Sequence, residues 1–139
     1  MRGTKEGVGE PFFVGADGCK GGWFAIRLTK GREWDTKLFA SISELWEEYQ
    51  DASLILLDVP IGMKEAGPDE RLCDKEARRK LGRERGCAVF PVPVRPAIYE
   101  GTYEEGKATN RKLSGKGLSV QTWSIVPKIK EVDTFFFKS

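Results

Sequence analysis

The sequence contains no histidine, and this absence excludes several kinds of functional site. A Ser-His-Asp triad, a Cys-His pair and a His-ligated zinc ion each need an imidazole nitrogen, and so does a histidine general base. Any chemistry in this protein must therefore use carboxylates, lysine, arginine, cysteine, hydroxyl groups or tyrosine.

Cysteine is scarce, and long hydrophobic runs are missing. Cys19, Cys73 and Cys87 are widely spaced and form no C-x-x-C pair, which argues against a disulfide framework and a four-thiolate zinc site. No stretch approaches the roughly 20 apolar residues of a membrane span, and the polar first residues lack the apolar centre of a signal peptide. We therefore expect a cytoplasmic protein with reduced thiols and no membrane partner.

The length of 139 residues is enough for one domain with a hydrophobic core. We expect a flexible arm over residues 1–11 and a single domain over residues 12–139. The net charge of +2 is too small to predict nucleic-acid binding by itself, because such binding needs clustered cations. A patch that contacts a phosphate backbone is one interpretation of the later cations, which are Arg95, Lys107, Arg111, Lys112, Lys116, Lys128 and Lys130.

Three strands in a meander are predicted near the start of the chain. An apolar run over 12–17 leads into a glycine-rich turn, and residues 23–28 then alternate. In this second strand Phe24, Ile26 and Leu28 share one face, while Trp23 and Ala25 lie on the other. The pattern indicates a hairpin, and a third strand follows over 36–40.

A crossover helix and a buried fourth strand are predicted next. Ser41 and Glu44 have the spacing of a capping box at the start of an amphipathic helix. The continuous apolar run over 54–57 is typical of a strand in parallel pairing, and it ends abruptly at Asp58. The resulting fold class is α/β, with a mixed sheet.

The rest of the sequence predicts further helices. A charged helix over 69–81, capped by Asp69 and closed by Gly82, is followed by a proline-containing segment over 87–96 that is either an extended edge or a loop. Another helix opens at Thr102, and the last begins at about Ser119. The charged helix is expected to bury a narrow stripe formed by Leu72, Cys73, Ala77 and Leu81.

Two carboxylates are predicted to meet at one edge of the sheet. A right-handed crossover places the fourth strand parallel to the first, about 4.8 Å away, and Asp17 and Asp58 end these two strands. Paired carboxylates repel unless a cation lies between them, and Mg²⁺ or Mn²⁺ prefers such oxygen ligands. The alternative is that Asp17 caps its Asp-Gly turn and Asp58 caps the loop before Pro60.

Four separated blocks have a recognisable order. They are residues 15–23 (GADGCKGGW), 57–62 (LDVPIG), 90–95 (FPVPVR) and 115–133, which contains GKGLS, QTW and IVPKIKEVD. These blocks resemble a family of predicted ribonuclease-H-like nucleases that has long been described as a domain of unknown function. The resemblance runs from about residue 12 to residue 133.

The resemblance implies a ribonuclease-H-like fold that cleaves phosphodiester bonds with a divalent metal. It implies that Asp17 and Asp58 are catalytic metal ligands, because family members place acids on the first strand and after the fourth. We expect a third carboxylate from Glu131 or Asp133, both on the last helix. The alternatives on the crossover helix are Glu44, Glu47 and Glu48, of which the last two favour a solvated face.

Basic residues are expected to position the substrate phosphate. Arg95 and Lys128 lie within the resembling blocks and are candidates for this role. Lys116 lies in a Gly-Lys-Gly loop that either donates N–H groups to a phosphate or forms a turn before the last helix. Nucleic acid is therefore the expected partner.

The resemblance also implies a domain that is truncated at its C-terminus. Family members continue with a further strand, helices and a His-Pro-Glu stretch, whereas this sequence stops after three phenylalanines at 135–137. We expect this apolar segment to be exposed and to allow a homodimer. The rival interpretation is a catalytically inactive module that binds nucleic acid or nucleotide, or self-associates. Actin-like sugar kinases also place an acid after the first strand, but the sequence lacks a phosphate-binding glycine pattern to match.

Overall fold

A computed structural model of the protein describes residues 9–138, and the chain divides into two units. The sheet unit is Met1–Val59 and the helical unit is Pro60–Ser139. Residues 1–8 of the arm predicted for 1–11 lie outside the described residues.

The sheet unit contains four strands and one helix. The strands are β1 (Phe12–Cys19), β2 (Gly22–Thr29), β3 (Trp34–Phe39) and β4 (Leu54–Leu57), and helix α1 (Ile42–Tyr49) connects β3 to β4. The sheet order is β3-β2-β1-β4, in which β1 pairs antiparallel with β2 and parallel with β4. This mixed α/β arrangement confirms the predicted meander and crossover.

Helix α1 covers one face of the sheet. Its start is capped as predicted, because the Ser41 hydroxyl accepts a hydrogen bond from the Glu44 N–H (3.2 Å). The helix buries Ile42, Leu45 and Tyr49. The Tyr49 ring packs edge-on against the rings of Phe12 and Phe39, which lie on the covered face.

The opposite face of the sheet is apolar, and its side chains are exposed. Each of its eight large side chains is between 42 and 69% exposed. Side chains alternate between the two faces of a strand, so these residues lie opposite to α1. They are Phe13, Phe24, Ile26, Leu28, Trp34, Leu38, Leu54 and Leu56.

Gly22 begins β2 in a conformation that disfavours a side chain. Its φ is 130°, and a Cβ atom there would lie 1.9 Å from the carbonyl oxygen of Phe39. We expect Gly22→Ala to lower the free energy of unfolding by about 2 kcal/mol or more, measured by urea denaturation. Gly15→Ala is the matched control, because a Cβ atom at Gly15 meets no atom within 4 Å. Equal stability of the two variants would contradict this prediction.

The helical unit contains four α-helices among the described residues. They are α2 (Leu72–Arg85), α3 (Arg95–Ile98), α4 (Tyr103–Ser114) and α5 (Val120–Phe137), with a short 3-10 helix at Gly86–Ala88 after α2. Helix α3 packs against α4 and α5. The buried apolar residues of this unit are Met63, Val94, Ala97, Ile98, Leu118, Val126, Ile129 and Val132.

Local capping signals gave the starts of α4 and α5. Thr102 and Glu105 form the predicted capping box, in which each side chain accepts a hydrogen bond from the other's backbone N–H. The Ser119 hydroxyl accepts from the Thr122 N–H at the start of α5 (3.0 Å). Among the described helices, none is both long enough and apolar enough to cross a membrane.

Two predictions for the helical unit were wrong. Helix α2 starts at Leu72 rather than Asp69, because Arg71 adopts an extended backbone at the N-cap position. The predicted stripe of α2 is not buried, and Leu72 is 74% exposed. The prediction that Gly82 closes the charged helix is confirmed, because its backbone is non-helical (φ 72°) and separates two helical stretches within Leu72–Arg85.

The segment predicted as an extended edge or a loop over 87–96 is helical at both ends. The 3-10 helix includes Cys87 and Ala88, and α3 begins at Arg95 with Pro96 in its first turn. Proline is tolerated there because the first N–H groups of a helix have no partner within the helix.

Candidate metal site on the sheet

Strand pairing brings Asp17 and Asp58 together. In the parallel pair Gly15 lies opposite Leu56 and Ala16 lies opposite Leu57. The backbone N–H of Asp58 continues this pairing, because it donates to the carbonyl oxygen of Ala16 (2.9 Å). Asp58 is therefore the neighbour of Asp17 across the two strands, with about 4.8 Å between the strands.

Both carboxylates project from the apolar face. Asp17 is two residues after Gly15 on β1, and Asp58 is two residues after Leu56. Because side chains alternate along a strand, all four residues lie on the same face of the sheet. Asp17 and Asp58 are both exposed and line one shallow depression of about 450 Å³. The rest of its lining is Gly15, Ala16, Phe24, Ile26, Leu56 and Leu57.

The pair is suited to a hard divalent cation. Among the described residues, neither carboxylate has an ion pair or a side-chain hydrogen bond. Like charges directly opposite each other on neighbouring strands are destabilising, and a cation between them removes this repulsion. Carboxylate oxygens that also leave room for water are typical of magnesium sites. The donor set thus fits Mg²⁺ or Mn²⁺, the ions expected from the sequence.

In the part of the chain that the structure describes, neither unit by itself places a third metal-binding side chain beside a pair of carboxylates. Over the described stretch 9–138, no three His, Cys, Asp or Glu side chains are placed to hold one ion. The glutamates of α1 are used elsewhere, because the Glu44 carboxylate accepts a hydrogen bond from the Ala40 N–H and Glu48 pairs with Lys37. Helix α1, which also carries Glu47, lies on the face opposite to Asp17.

Asp133 is a buried partner of Arg95 and Tyr99. Its side chain is 1% exposed, and its two carboxylate oxygens accept from the Arg95 Nε at 3.1 and 3.2 Å. The Tyr99 hydroxyl donates to the same carboxylate (2.8 Å). Arg95 also pairs with Glu65. These contacts link α3 to α5 and engage two of the residues predicted for catalysis and phosphate binding.

The pKa values of this cluster follow from its contacts. The pKa of Arg95 is raised above its usual range, because its charged form donates to the carboxylates of Glu65 and Asp133. Burial raises the pKa of Tyr99, and its hydrogen bond to Asp133 adds to this effect. Both raised pKa values keep Arg95 and Tyr99 protonated, so each side chain remains a hydrogen-bond donor to Asp133.

The remaining predicted residues also lie in the helical unit. Glu131 and Lys128 form an ion pair one turn apart on α5, with 4.0 Å between Nζ and Oε2. Lys116 lies in a loop that Asn110 fixes by donating to the carbonyl oxygens of Lys116 and Gly117, both at 3.1 Å. Lys116 also lines a small cavity of about 40 Å³. Their proposed roles with substrate stay predictions.

The apolar surface around the two carboxylates was not among the predicted features. The sequence did contain an indication of this surface. Strand β2 carries large apolar side chains on both faces, and only one of these faces packs under α1. No role was predicted for the buried Asn110, whose amide side chain joins the Gly-Lys-Gly loop to Val94. No local pattern marks an asparagine for that role.

The sheet unit therefore belongs to the mixed α/β class and carries paired carboxylates on adjacent parallel strands. The family profile described as "Protein of unknown function (DUF429)" matches residues 15–138. The chain belongs to this family, which agrees with the domain of unknown function that the sequence blocks resemble. No curated protein and no solved structure matches the chain.

Proposed function

We propose that this protein is a divalent-metal-dependent phosphodiester hydrolase with a ribonuclease-H-like fold. The observation that supports it is the adjacent, unpaired placement of Asp17 and Asp58 on one exposed face of the sheet. The strand order β3-β2-β1-β4 also agrees with the first-strand and fourth-strand acids that the resemblance implies.

Asp17 and Asp58 would hold the metal ion in this proposal. A bound Mg²⁺ or Mn²⁺ would activate a water molecule and neutralise charge on the phosphate. The two carboxylates supply oxygen ligands from rigid strands, which fixes their spacing before substrate arrives. Their exposure leaves the open side of the site accessible to water and to a phosphate group.

The proposal does not depend on the basic residues of the helical unit. Arg95 is paired with Asp133 and Glu65, and Lys128 is paired with Glu131. Of the carboxylates in these pairs only Asp133 is buried, and Arg95 cannot leave it without a cost in stability. We therefore restrict the proposed metal-binding and catalytic residues to Asp17 and Asp58.

Metal removal tests the proposed activity. We expect cleavage of oligonucleotides in Mg²⁺ or Mn²⁺ and no cleavage after EDTA treatment, measured on gels with single-stranded, duplex and hybrid substrates. Returning Mg²⁺ in excess should restore the activity, which controls for damage by the chelator. Binding without cleavage under every metal condition would contradict the proposal and favour a catalytically inactive binding module.

A further inference from the structure

The carboxylate pair lies at the end of a gap in the apolar face. Directly across the strands from Gly15 are Ile26 on β2 and Leu56 on β4. Gly15 has no side chain, and a Cβ atom built there would meet no atom within 4 Å. The surface of the sheet is therefore recessed at Gly15 relative to Ile26 and Leu56, and this recess is the floor of the depression.

An aromatic ring lies beside the carboxylates, in the row of the sheet next to the gap. Phe24 lies directly opposite Asp17 in the antiparallel pair, two residues before Ile26 on the same face. Its side chain is 43% exposed, so a large part of the ring is free to contact a ligand. The floor, the ring and the carboxylates together line the depression of about 450 Å³.

We propose that this depression binds a nucleobase of a single-stranded nucleic acid, next to the phosphate that is held at Asp17 and Asp58. The inference rests on the proposed function for the position of that phosphate. The base itself is assigned by the apolar floor at Gly15 and the exposed Phe24 ring.

The chemistry of the depression favours a base over other apolar groups. A base is flat and apolar on its faces. An aromatic side chain can therefore stack on any of the bases, whatever the nucleotide sequence. The carboxylates at one end require that the ligand also carry a group that binds a cation, as a phosphate does. A nucleotide has both features at a fixed spacing, whereas an aliphatic hydrocarbon chain has no group that binds a cation.

A base in this depression cannot remain stacked in a duplex. Contact with the floor and with Phe24 uses a face of the base that its neighbours cover within a double helix. We therefore expect single strands, or frayed ends, to bind more tightly than the interior of a duplex.

Gly15→Val tests the inference, because it fills the gap without strain. Gly15 has no positive φ, and valine is favoured in strands. The probes are a short oligothymidylate and an abasic strand of equal length and charge, with binding measured by fluorescence anisotropy in Ca²⁺. Wild-type protein should bind oligothymidylate about 10-fold more tightly, as expected for one stacked base, and Gly15→Val should remove this preference.

Two further variants separate the depression from the rest of the face. Phe24→Leu keeps an apolar side chain but removes the ring, and it should also reduce the preference for oligothymidylate. Leu28→Ala is the matched control, because Leu28 is similarly exposed (43%) and lies outside the lining of the depression. It should retain the preference. Circular dichroism checks that each variant is folded.

The outcomes distinguish this inference from the proposed function. Equal binding of both strands by the wild type, or a preference that survives Gly15→Val, would overturn the base site while leaving metal-dependent cleavage intact. If Gly15→Val removes the preference but the wild-type protein cleaves no substrate with any metal, the base site is supported and the proposed hydrolysis is wrong. Tighter binding of duplex than of oligothymidylate would also overturn the inference.

Discussion

Asp17→Asn and Asp58→Asn should each lower metal-dependent phosphodiester hydrolysis by at least about 100-fold. Asparagine keeps the size of the side chain but removes a charged oxygen ligand, and metal ions contribute several kcal/mol to such reactions. Cleavage of an end-labelled oligonucleotide in Mg²⁺ measures the effect. Asp51→Asn is the matched control, because Asp51 is an exposed carboxylate of the sheet unit outside the depression. It should leave the rate unchanged.

The same variants have a second readout that needs no activity. Without metal, each asparagine relieves the repulsion between two carboxylates, so the stability of the protein should rise by a few tenths of a kcal/mol. With metal, only the wild type and Asp51→Asn should gain stability from added Mg²⁺, because an ion that binds the folded state raises its unfolding temperature. Thermal unfolding with and without Mg²⁺ measures both effects. An equal gain in every variant would show that the ion binds elsewhere.

Arg95→Met should lower the free energy of unfolding by about 3 kcal/mol. The change leaves the Asp133 carboxylate buried without its cationic partner, and breaking a buried ion pair in this way costs about 3–5 kcal/mol. The lower end is expected because the Arg95 side chain is 21% exposed and Tyr99 still donates to Asp133. Urea denaturation measures the loss.

Two controls identify the contact that matters. Glu65→Gln removes the charge of the other partner of Arg95. Because the Glu65 side chain is 67% exposed, this change should lower the free energy of unfolding by no more than about 1 kcal/mol. In an Asp133→Asn background, Arg95→Met should cost less than in the wild type, because no buried charge is left. If Arg95→Met is as stable as the wild type but binds nucleic acid more weakly, Arg95 is a substrate ligand rather than a structural one.

Local sequence patterns predicted much of the sheet unit. The alternation over 23–28 and the glycines after Asp17 predicted the hairpin, and Ser41 with Glu44 predicted the start of α1. These signals act between residues close in sequence, so their physical basis does not depend on the rest of the fold. The pairing of Asp17 with Asp58 needed one further rule, the right-handed crossover, and the parallel register of β1 and β4 agrees with it.

Patterns based on burial were less reliable in the helical unit. The stripe predicted for α2 has helical spacing, yet the helix has no buried residue. Helical spacing shows that apolar residues share a side of the helix, but not that another element packs on that side. All four stripe residues are exposed for this reason, namely Leu72, Cys73, Ala77 and Leu81.

The sequence by itself determined the residue types available for chemistry, the order of the strands and the two acids that lie on β1 and directly after β4. Composition and short-range spacing are sufficient for these, since they involve neighbouring residues and one handedness rule. Only the tertiary structure decided which side of the sheet the acids occupy relative to α1, and that Gly15 leaves a gap beside them. It also decided that Asp133 is paired with Arg95, 38 residues away, because burial and long-range partners depend on packing between distant elements.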